Sequence, residues 1–495
     1  MDAVAKSVEP TLGSVESQAG DLLTPLVFDL DGTLIATDLL AETLLLFLKQ
    51  NPLRIFVVLG WLLKGRAHLK RRLAESVNLD VDLLPLRDEV VAYARAQAEA
   101  GRKIYIATAA DGVLASRLRD RFDFVTDIIG SDGATNLKSA NKAAALRARF
   151  PQGFDYAGDA HADIAVWKAA RQAVFAGSSL ALKRKLETIC PIRFSAVTRP
   201  PSAKDWIKGL RLHQWAKNSL IFVPILLGGQ IGSLPVWIAC ALGFAGMGVL
   251  ASTTYVLNDL FDLQEDRTHW TKRNRPFASG RIPIQAGLAI VPLGLAAGLA
   301  LGYAANGVPA MLMLCVYLVV TLAYSFGLKR VPILDVVLLA GLFTQRIAIG
   351  VVCAGVAWSA WLLVFSMFIF TSLSFAKRFT EISRLKARGG SKLSGRGYLA
   401  ADEPLVLALG VSLSSAAVFV MVMYLIEEAF RAEFYARAEF LWTFPPVLAL
   451  WLGRVWLLCG RGELDDDPVV FAVRDKASLA LGGVLVLSIA AAIFI

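Results

Sequence analysis

Charge is missing from long tracts of this 495-residue sequence. No Asp, Glu, Lys or Arg stands between Lys217 and Asp259, between Arg281 and Lys329, between Arg346 and Lys377, or between Glu403 and Glu427. A soluble chain of ordinary composition does not leave such gaps. Each gap holds one or two stretches of roughly 20 apolar residues, the length that crosses a bilayer. Histidine is scarce: His68, His161, His213 and His269 form no ligand spacing, which argues against a zinc site. The five cysteines (Cys190, Cys240, Cys315, Cys353, Cys459) are scattered without a CxxC pair and read as small core or lipid-facing residues. The first 24 residues hold no apolar run of the signal-peptide kind, so 1–24 reads as a disordered leader.

What is present is apolar and basic: 56% hydrophobic residues and a net charge of +10. Almost all of the apolar excess follows residue 215. Cutting it at Gly, Pro and polar breaks predicts about nine transmembrane helices, near 217–232, 234–257, 284–304, 308–326, 332–352, 357–376, 404–426, 440–458 and 477–495. Lys and Arg gather in the loops 258–283, 327–331, 377–403 and 459–476, which places those loops and the N-terminal region on the cytoplasmic side of an inner membrane. Membrane topology thereby accounts for the basic balance, and no nucleic acid is expected as a partner.

At the exit of the first long uncharged tract stands NDLFDLQEDRTHWTKRNRP. Asn258, Asp262 and Asp266 are spaced i, i+4, i+8, with Asp259 three residues before Asp262; on a helix they make one acidic stripe about two turns long. Carboxylates so close repel unless a cation lies between them, and an oxygen-only set suits Mg²⁺ bridging to a substrate's phosphates. Lys272, Arg273 and Arg275 follow, donors suited to the same phosphates. A polar stripe that continues a membrane-length apolar run is expected to be functional, here as a diphosphate site at the membrane face.

A second pattern opens with LVFDLDGTL. Leu26–Leu30 reads as a buried strand ending at Asp29 and Asp31, where α/β sheets bind ligands. A helix-rich stretch over 39–100 follows, then a strand from Lys103 to Ala107 ending in Thr108, then PQGFDYAGDAHAD with Asp159 and Asp163. These pieces, in this order, resemble the haloacid dehalogenase (HAD) phosphatase superfamily. The resemblance implies an α/β HAD-like (Rossmannoid) domain over 25–185 with a helical cap over 39–100. It makes Asp29 the nucleophile, Asp31 the general acid/base and Thr108 a phosphoryl-binding hydroxyl. Lys142 or Lys138 would offset anionic charge. Asp29, the backbone carbonyl of Asp31, and Asp159 would hold Mg²⁺, with Asp163 supporting that shell. In the cap, IFVVLGWLL at 55–63 reads as a buried helix or as one lying on the membrane surface, where the following Lys64, Arg66, Lys70, Arg71 and Arg72 would suit it. A linker over 186–205 leads into the membrane domain, 206–495.

That second domain, with its acidic motif, KRNRP and helix count, resembles the UbiA superfamily of intramembrane prenyltransferases, an all-α multi-span bundle. The resemblance implies that Asn258, Asp259, Asp262 and Asp266 hold a Mg²⁺–diphosphate, with Asn258, Asp262 and Asp266 as metal ligands. Where aromatic prenyltransferases of the superfamily carry a second DxxxD, this chain has only Asp335, with Val331 and Leu339 four residues away. Arg346 lies deeper in the same apolar segment, and Lys377 and Arg378 mark the end of the next. Together with LRLHQWAKN and GRGYLA, this balance looks most like the branch containing decaprenyl-phosphate phosphoribosyltransferase. The resemblance implies a phosphorylated sugar, phosphoribosyl diphosphate, as donor and a polyprenyl lipid as acceptor. Lys272, Arg273, Lys329, Lys377 and Arg378 would share the two further phosphates. A polyprenyl diphosphate passed to an aromatic acceptor is the alternative.

Overall fold

The computed structural model describes residues 22–393, 395–464, 471 and 475–495, so all but the last three residues of the expected leader lie outside it. The chain divides into two compact units. One comprises the residues up to Leu210 together with Val256–Ala289; the other comprises Arg211–Tyr255 with Ile290–Ile495. The boundary expected near 206 is therefore incomplete, because the acidic segment is grouped with the N-terminal unit.

The first unit is built on six parallel strands in the order β3-β2-β1-β4-β5-β6: β1 Leu26–Phe28, β2 Ile104–Asp111, β3 Asp127–Ser131, β4 Asp155–Gly158, β5 Ala173–Phe175 and β6 Ile192–Ser195. All three residues of β1 are buried, as a central strand covered on both faces requires. Leu26 and Phe28 join the apolar layer of Ile104 and Ile106. Val27 joins the opposite layer of Tyr156, Trp167 and Phe175, so the period of two holds across the sheet. Strand β6 falls inside the stretch expected to be linker. Its four residues are too short a run to carry a periodic signal, and pairing with β5 defines it.

Helices α1 (Leu39–Gln50), α2 (Ile55–Leu63) and α3 (Arg66–Ser76) follow β1, and α4 (Asp88–Glu99) leads to β2. Asp38 caps α1 by accepting from the Ala41 amide. In α2 only Val58 is buried, so the buried reading of IFVVLGWLL is overturned. An apolar run reports hydrophobicity, not which surface covers it.

The acidic segment belongs to this unit through specific contacts. Arg267 donates from both terminal nitrogens to Glu42 (2.6 and 3.2 Å), and Thr37 donates to the same carboxylate. Both members of the pair are almost fully buried. Lys49 at the end of α1 pairs with Asp262 and Glu265. Gly280 packs so tightly on Ala36 that a Cβ there would lie 2.4 Å from the Ala36 carbonyl oxygen, and its φ of +71° also favours glycine.

Seven helices among the described residues are long and apolar enough to cross a membrane. They are α5 (Leu234–Phe261), α6 (Ile284–Phe326), α7 (Leu334–Ala354), α8 (Ala360–Ala387), α9 (Glu403–Glu427), α10 (Phe444–Gly460) and α11 (Lys476–Phe494). The expectation of nine is corrected at one place. Over 217–232 there are only a 3₁₀ segment, Leu212–Phe222, and a short helix, Val223–Leu227, because Pro224 and the pair Gly228–Gly229 punctuate the run. Within the run Ile284–Phe326 the backbone leaves the helical region at Asn306 and Gly307, so two helices meet at a kink where the expected pair 284–304 and 308–326 divides. In the second unit α8 packs along α7 and α9. Gly410 of α9 lets the Trp456 ring approach so closely that a Cβ would overlap it, a small residue at a helix contact.

The Arg267–Glu42 pair generates a stability test. Glu42→Ala leaves a guanidinium buried without its carboxylate, which costs about 3–5 kcal/mol. We expect a large drop in the melting temperature of Glu42→Ala, substantially reversed in Glu42→Leu/Arg267→Met. A melt unchanged by the single substitution would show that the pair does not anchor the acidic segment.

Candidate active sites

The carboxyl ends of β1 and β4 open into a cavity of about 610 Å³, lined by Asp29, Asp31, Lys142, Asp159 and Asp163 among others. Asp29 ends β1, where the chain turns through Gly32; a Cβ on Gly32 would lie 2.3 Å from Asp159 Oδ2, so only glycine allows the approach. Carboxylate oxygens of Asp29, Asp159 and Asp163 lie within 4.8 Å of one another. Lys142, fully buried, stands 2.9 Å from Asp29 and donates to the Tyr156 hydroxyl, which donates in turn to Asp163. Asp163 also accepts from the amides of Asp159 and Ala160. Of the two lysines left open by the sequence, Lys142 makes the ion pair with Asp29, while Lys138 lines the cavity.

Electrostatics follow from this crowding. Burial, then the neighbouring carboxylates Asp163 and Asp29, raises Asp159 to about 7. Burial, then Asp29, raises Asp163 to about 6. Asp31 is raised well above the usual carboxylate range by burial, then by Asp38 and Asp29, and its carboxylate accepts from the Leu39 amide. A carboxyl whose burial favours its protonated form is suited to donate a proton. Burial alone would lower Lys142, but Asp29 and Asp163 more than reverse it. Three clustered oxygen donors whose mutual repulsion a cation would relieve fit a hard divalent ion such as Mg²⁺. The Asp31 side chain is outside that trio. Thr108 is buried in β2, where its hydroxyl accepts from the Ala110 amide.

Sequence reasoning missed three groups here. Tyr156 relays between Lys142 and Asp163. Lys70, contributed by α3, donates to the Ala109 carbonyl and Asn136 at the cavity wall. Arg87 donates to the Gly32 carbonyl and Thr198. No spacing in the sequence marks them, because each arrives from a separate element.

In the acidic segment, Asn258 and Asp259 end α5, and Asp262 caps the short helix Leu263–Thr268. The Asp262 amide still donates to the Asn258 carbonyl and the Asp266 amide to that of Asp262, so the helical spacing survives the break. The carboxylates divide, however. Arg275 donates from one nitrogen to Asp259 (3.0 Å) and Asp266 (2.7 Å), both nearly fully buried. Asp262, 42% exposed, turns to Lys49. Arg275 thus bridges Asp259 and Asp266, and Lys49 holds Asp262. Burial raises the Asp266 carboxyl, and Arg275 pulls it back. Oxygen-only donors with a cation already between two of them remain a fit for a divalent ion. Lys272 and Arg273 are exposed on the following 3₁₀ turn.

The second unit holds the remaining expected residues. Asp335, fully buried at the start of α7, accepts from the Tyr398 hydroxyl (2.8 Å) and lies 3.4 Å from Arg378 and 3.5 Å from Arg396. Arg378 also pairs with Glu381. The lone aspartate of the expected second motif is thus a satisfied hub, and GRGYLA supplies two of its partners. Lys377 is half-buried beside Arg378 on α8, and Lys329 lies on the 3₁₀ turn Leu328–Arg330. Arg346 is different. It is 7% exposed, donates to Asn218 (2.9 Å) and to its own helix at Leu342, and lies against the rings of Phe343 and Tyr317. Among the described residues no carboxylate pairs with it.

Residues 220–481, just over half of the chain, match the family described as UbiA prenyltransferase family. The chain is 40% identical over 94% of its length to the uncharacterized protein y4nM of Sinorhizobium fredii, covering 90% of that protein. It is 35% identical over 39% of its length to a decaprenyl-phosphate phosphoribosyltransferase of Corynebacterium glutamicum, covering 60% of that protein. Among solved structures, a UbiA homolog from Archaeoglobus fulgidus bound to GPP and Mg²⁺ is 17% identical with a TM-score of 0.44, across 58% of this chain and 98% of that one.

The raised carboxyls give a pH test with a defined sign. A folded-state pKa above the unfolded value of about 3.9 means that the folded state binds protons more tightly, so stability falls as pH rises from about 4 through about 7. With divalent cations removed, we expect a higher melting temperature near pH 5 than near pH 8 (the span set by these groups). Added Mg²⁺ should raise the value at the higher pH more than at the lower. Asp159→Asn should flatten both effects. Equal Mg²⁺ stabilisation at the two pH values would refute a cation site at this trio.

Proposed function

This chain belongs to the UbiA prenyltransferase family and is a membrane enzyme; from that premise we propose that it transfers a phosphoribosyl group from its 1-diphosphate to a polyprenyl phosphate, and that its N-terminal unit removes the 5-phosphate from the product. The observation that carries the first half is Arg346. A guanidinium buried in a membrane bundle against an amide and two aromatic rings lacks an anion, and an acceptor bearing a phosphate supplies one. An aromatic acceptor brings no such charge. The similarity to a protein named decaprenyl-phosphate phosphoribosyltransferase supports the same choice.

In this reading Asn258, Asp259, Asp262 and Asp266 hold Mg²⁺ and the donor's diphosphate at the cytoplasmic face of the inner membrane. When bound, the ion neutralises charge growing on the departing diphosphate. Arg275 and Lys49, which now occupy the aspartates, are placed to shift onto phosphate oxygens. The bond from the ribose C1 to diphosphate oxygen breaks, and a lipid phosphate oxygen bonds to C1. Arg346 holds the remaining oxygens of that phosphate. Lys272, Arg273, Lys329, Lys377 and Arg378 are the candidates for the donor's 5-phosphate.

The N-terminal unit fits a HAD-type phosphatase. Asp29 attacks the 5-phosphate, breaking its bond to the ribose oxygen, while Asp31, whose burial favours the protonated carboxyl, gives that oxygen a proton. Water then cleaves the aspartyl-phosphate to release phosphate. Lys142 steadies Asp29 and the transferred group. Asp29, Asp159 and Asp163 would hold Mg²⁺, which offsets phosphoryl charge.

Membranes carrying the protein, given labelled phosphoribosyl diphosphate or labelled prenyl diphosphate, should put only the first label into lipid. Entry of only the prenyl label would favour an aromatic prenyltransferase. Arg346→Gln should raise KM for the lipid phosphate about 10- to 100-fold, the equivalent of a lost charged hydrogen bond of about 1.5–3 kcal/mol. Asp262→Asn should reduce transfer at least about 10-fold through weaker metal binding. Wild type should yield lipid-linked ribose, and Asp29→Asn lipid-linked ribose 5-phosphate, distinguished by mass. Identical lipid products from the two would refute the coupled phosphatase.

A further inference from the structure

Helix α2 leaves apolar surface uncovered in a way that nothing else in its unit does. Leu53, Phe56, Leu59 and Leu63 are 70%, 70%, 50% and 90% exposed, spaced along one side of the helix and its leading turn. Its inner side is closed by Val58 and by Trp61, whose ring lies 5.1 Å from that of Phe47. At nine residues the helix is far too short to span a bilayer, which takes about 20. The charge around it has one sign. Between Glu42 and Glu75 there is no acidic residue, while Lys49, Arg54, Lys64, Arg66, Lys70, Arg71 and Arg72 all fall in that interval. An apolar stripe framed by cations is the pattern of a helix lying in the interfacial layer of an anionic bilayer. The chain's own spans ensure that a bilayer is present.

The same helix reaches the catalytic cavity. Leu62 of α2, with Arg66 and Lys70 of α3, lines the cavity that contains Asp29 and Lys142. We propose that α2 seats in the bilayer surface and that the cavity takes a phosphate monoester carried on a membrane lipid. The choice of substrate rests on the phosphatase reading; the seat of the helix does not. The lipid's chains stay in the bilayer, the basic rim attracts its charged headgroup, and Asp29 meets the phosphate.

The test uses the full chain in anionic liposomes. Phe56→Cys and Leu63→Cys, and Leu180→Cys as an exposed control in the same unit, are labelled with an environment-sensitive dye. The native cysteines are changed to alanine or, where folding suffers, left in place, since four of the five are buried. Dyes at 56 and 63 should shift to the blue and be quenched by spin-labelled lipid, while the dye at 180 should do neither. Water-like emission at 56 and 63 overturns the seat; so does shielding insensitive to lipid quenchers, which would mark a protein partner or a second copy. Phe56→Ser/Leu59→Ser should then raise KM for a lipid-borne phosphate at least tenfold and leave hydrolysis of a soluble sugar phosphate unchanged. Equal loss on both substrates overturns the lipid-substrate half. If the wild type hydrolyses neither, the phosphatase reading and that half fail together, and the dyes still decide the seat.

Discussion

A charge taken out of water must be met by an opposite charge or by donors aimed at it, since the unpaired state costs several kcal/mol. That constraint shapes every site in this protein. Asp29 meets Lys142, Asp335 meets Arg378, and Asp259 shares Arg275 with Asp266. Glu42 takes Arg267 in a two-point pair shielded from solvent. Where the pairing is incomplete, chemistry is expected. The trio at the end of β1 and β4 keeps more negative charge than Lys142 offsets, and burial followed by that crowding raises Asp159 and Asp163. Arg346 has the opposite imbalance, a cation among rings and an amide.

The acidic segment and the Asp29 cavity lie in one compact unit. Its Arg267 and its Asp262 and Glu265 are tied to the first helix after the DxD strand, and Gly280, beyond its basic run, both packs on Ala36 and lines the Asp29 cavity. The segment and the Asp29 cavity thus share packing within one unit.

Much of this was legible because it rests on local pattern. The membrane segments are visible in charge-free tracts of fixed length, and LVFDLDGTL announces a buried strand ending in carboxylates. What escaped was set by partners distant in sequence. Strands β3, β5 and β6 are runs of three to five residues that only sheet pairing defines. Lys142 could not be told from Lys138 by spacing, since contact with Asp29 across more than 100 residues makes the distinction. The 217–232 stretch has the composition of a span, but its proline and paired glycines fold it as short turns.

By itself, then, the sequence determined most of the long apolar helices, which residue types are suited to phosphate and metal, and the order of the pieces around Asp29, because composition and periodicity act over a few turns of chain. Tertiary structure alone decided which cation each carboxylate faces. Arg275 bridges Asp259 and Asp266, Lys49 reaches Asp262 from another element, and Asp335 is a closed hub while Arg346 has no carboxylate partner among the described residues. Coulomb interactions are selected by distance in space, and burial multiplies them. Neither quantity can be read along the chain.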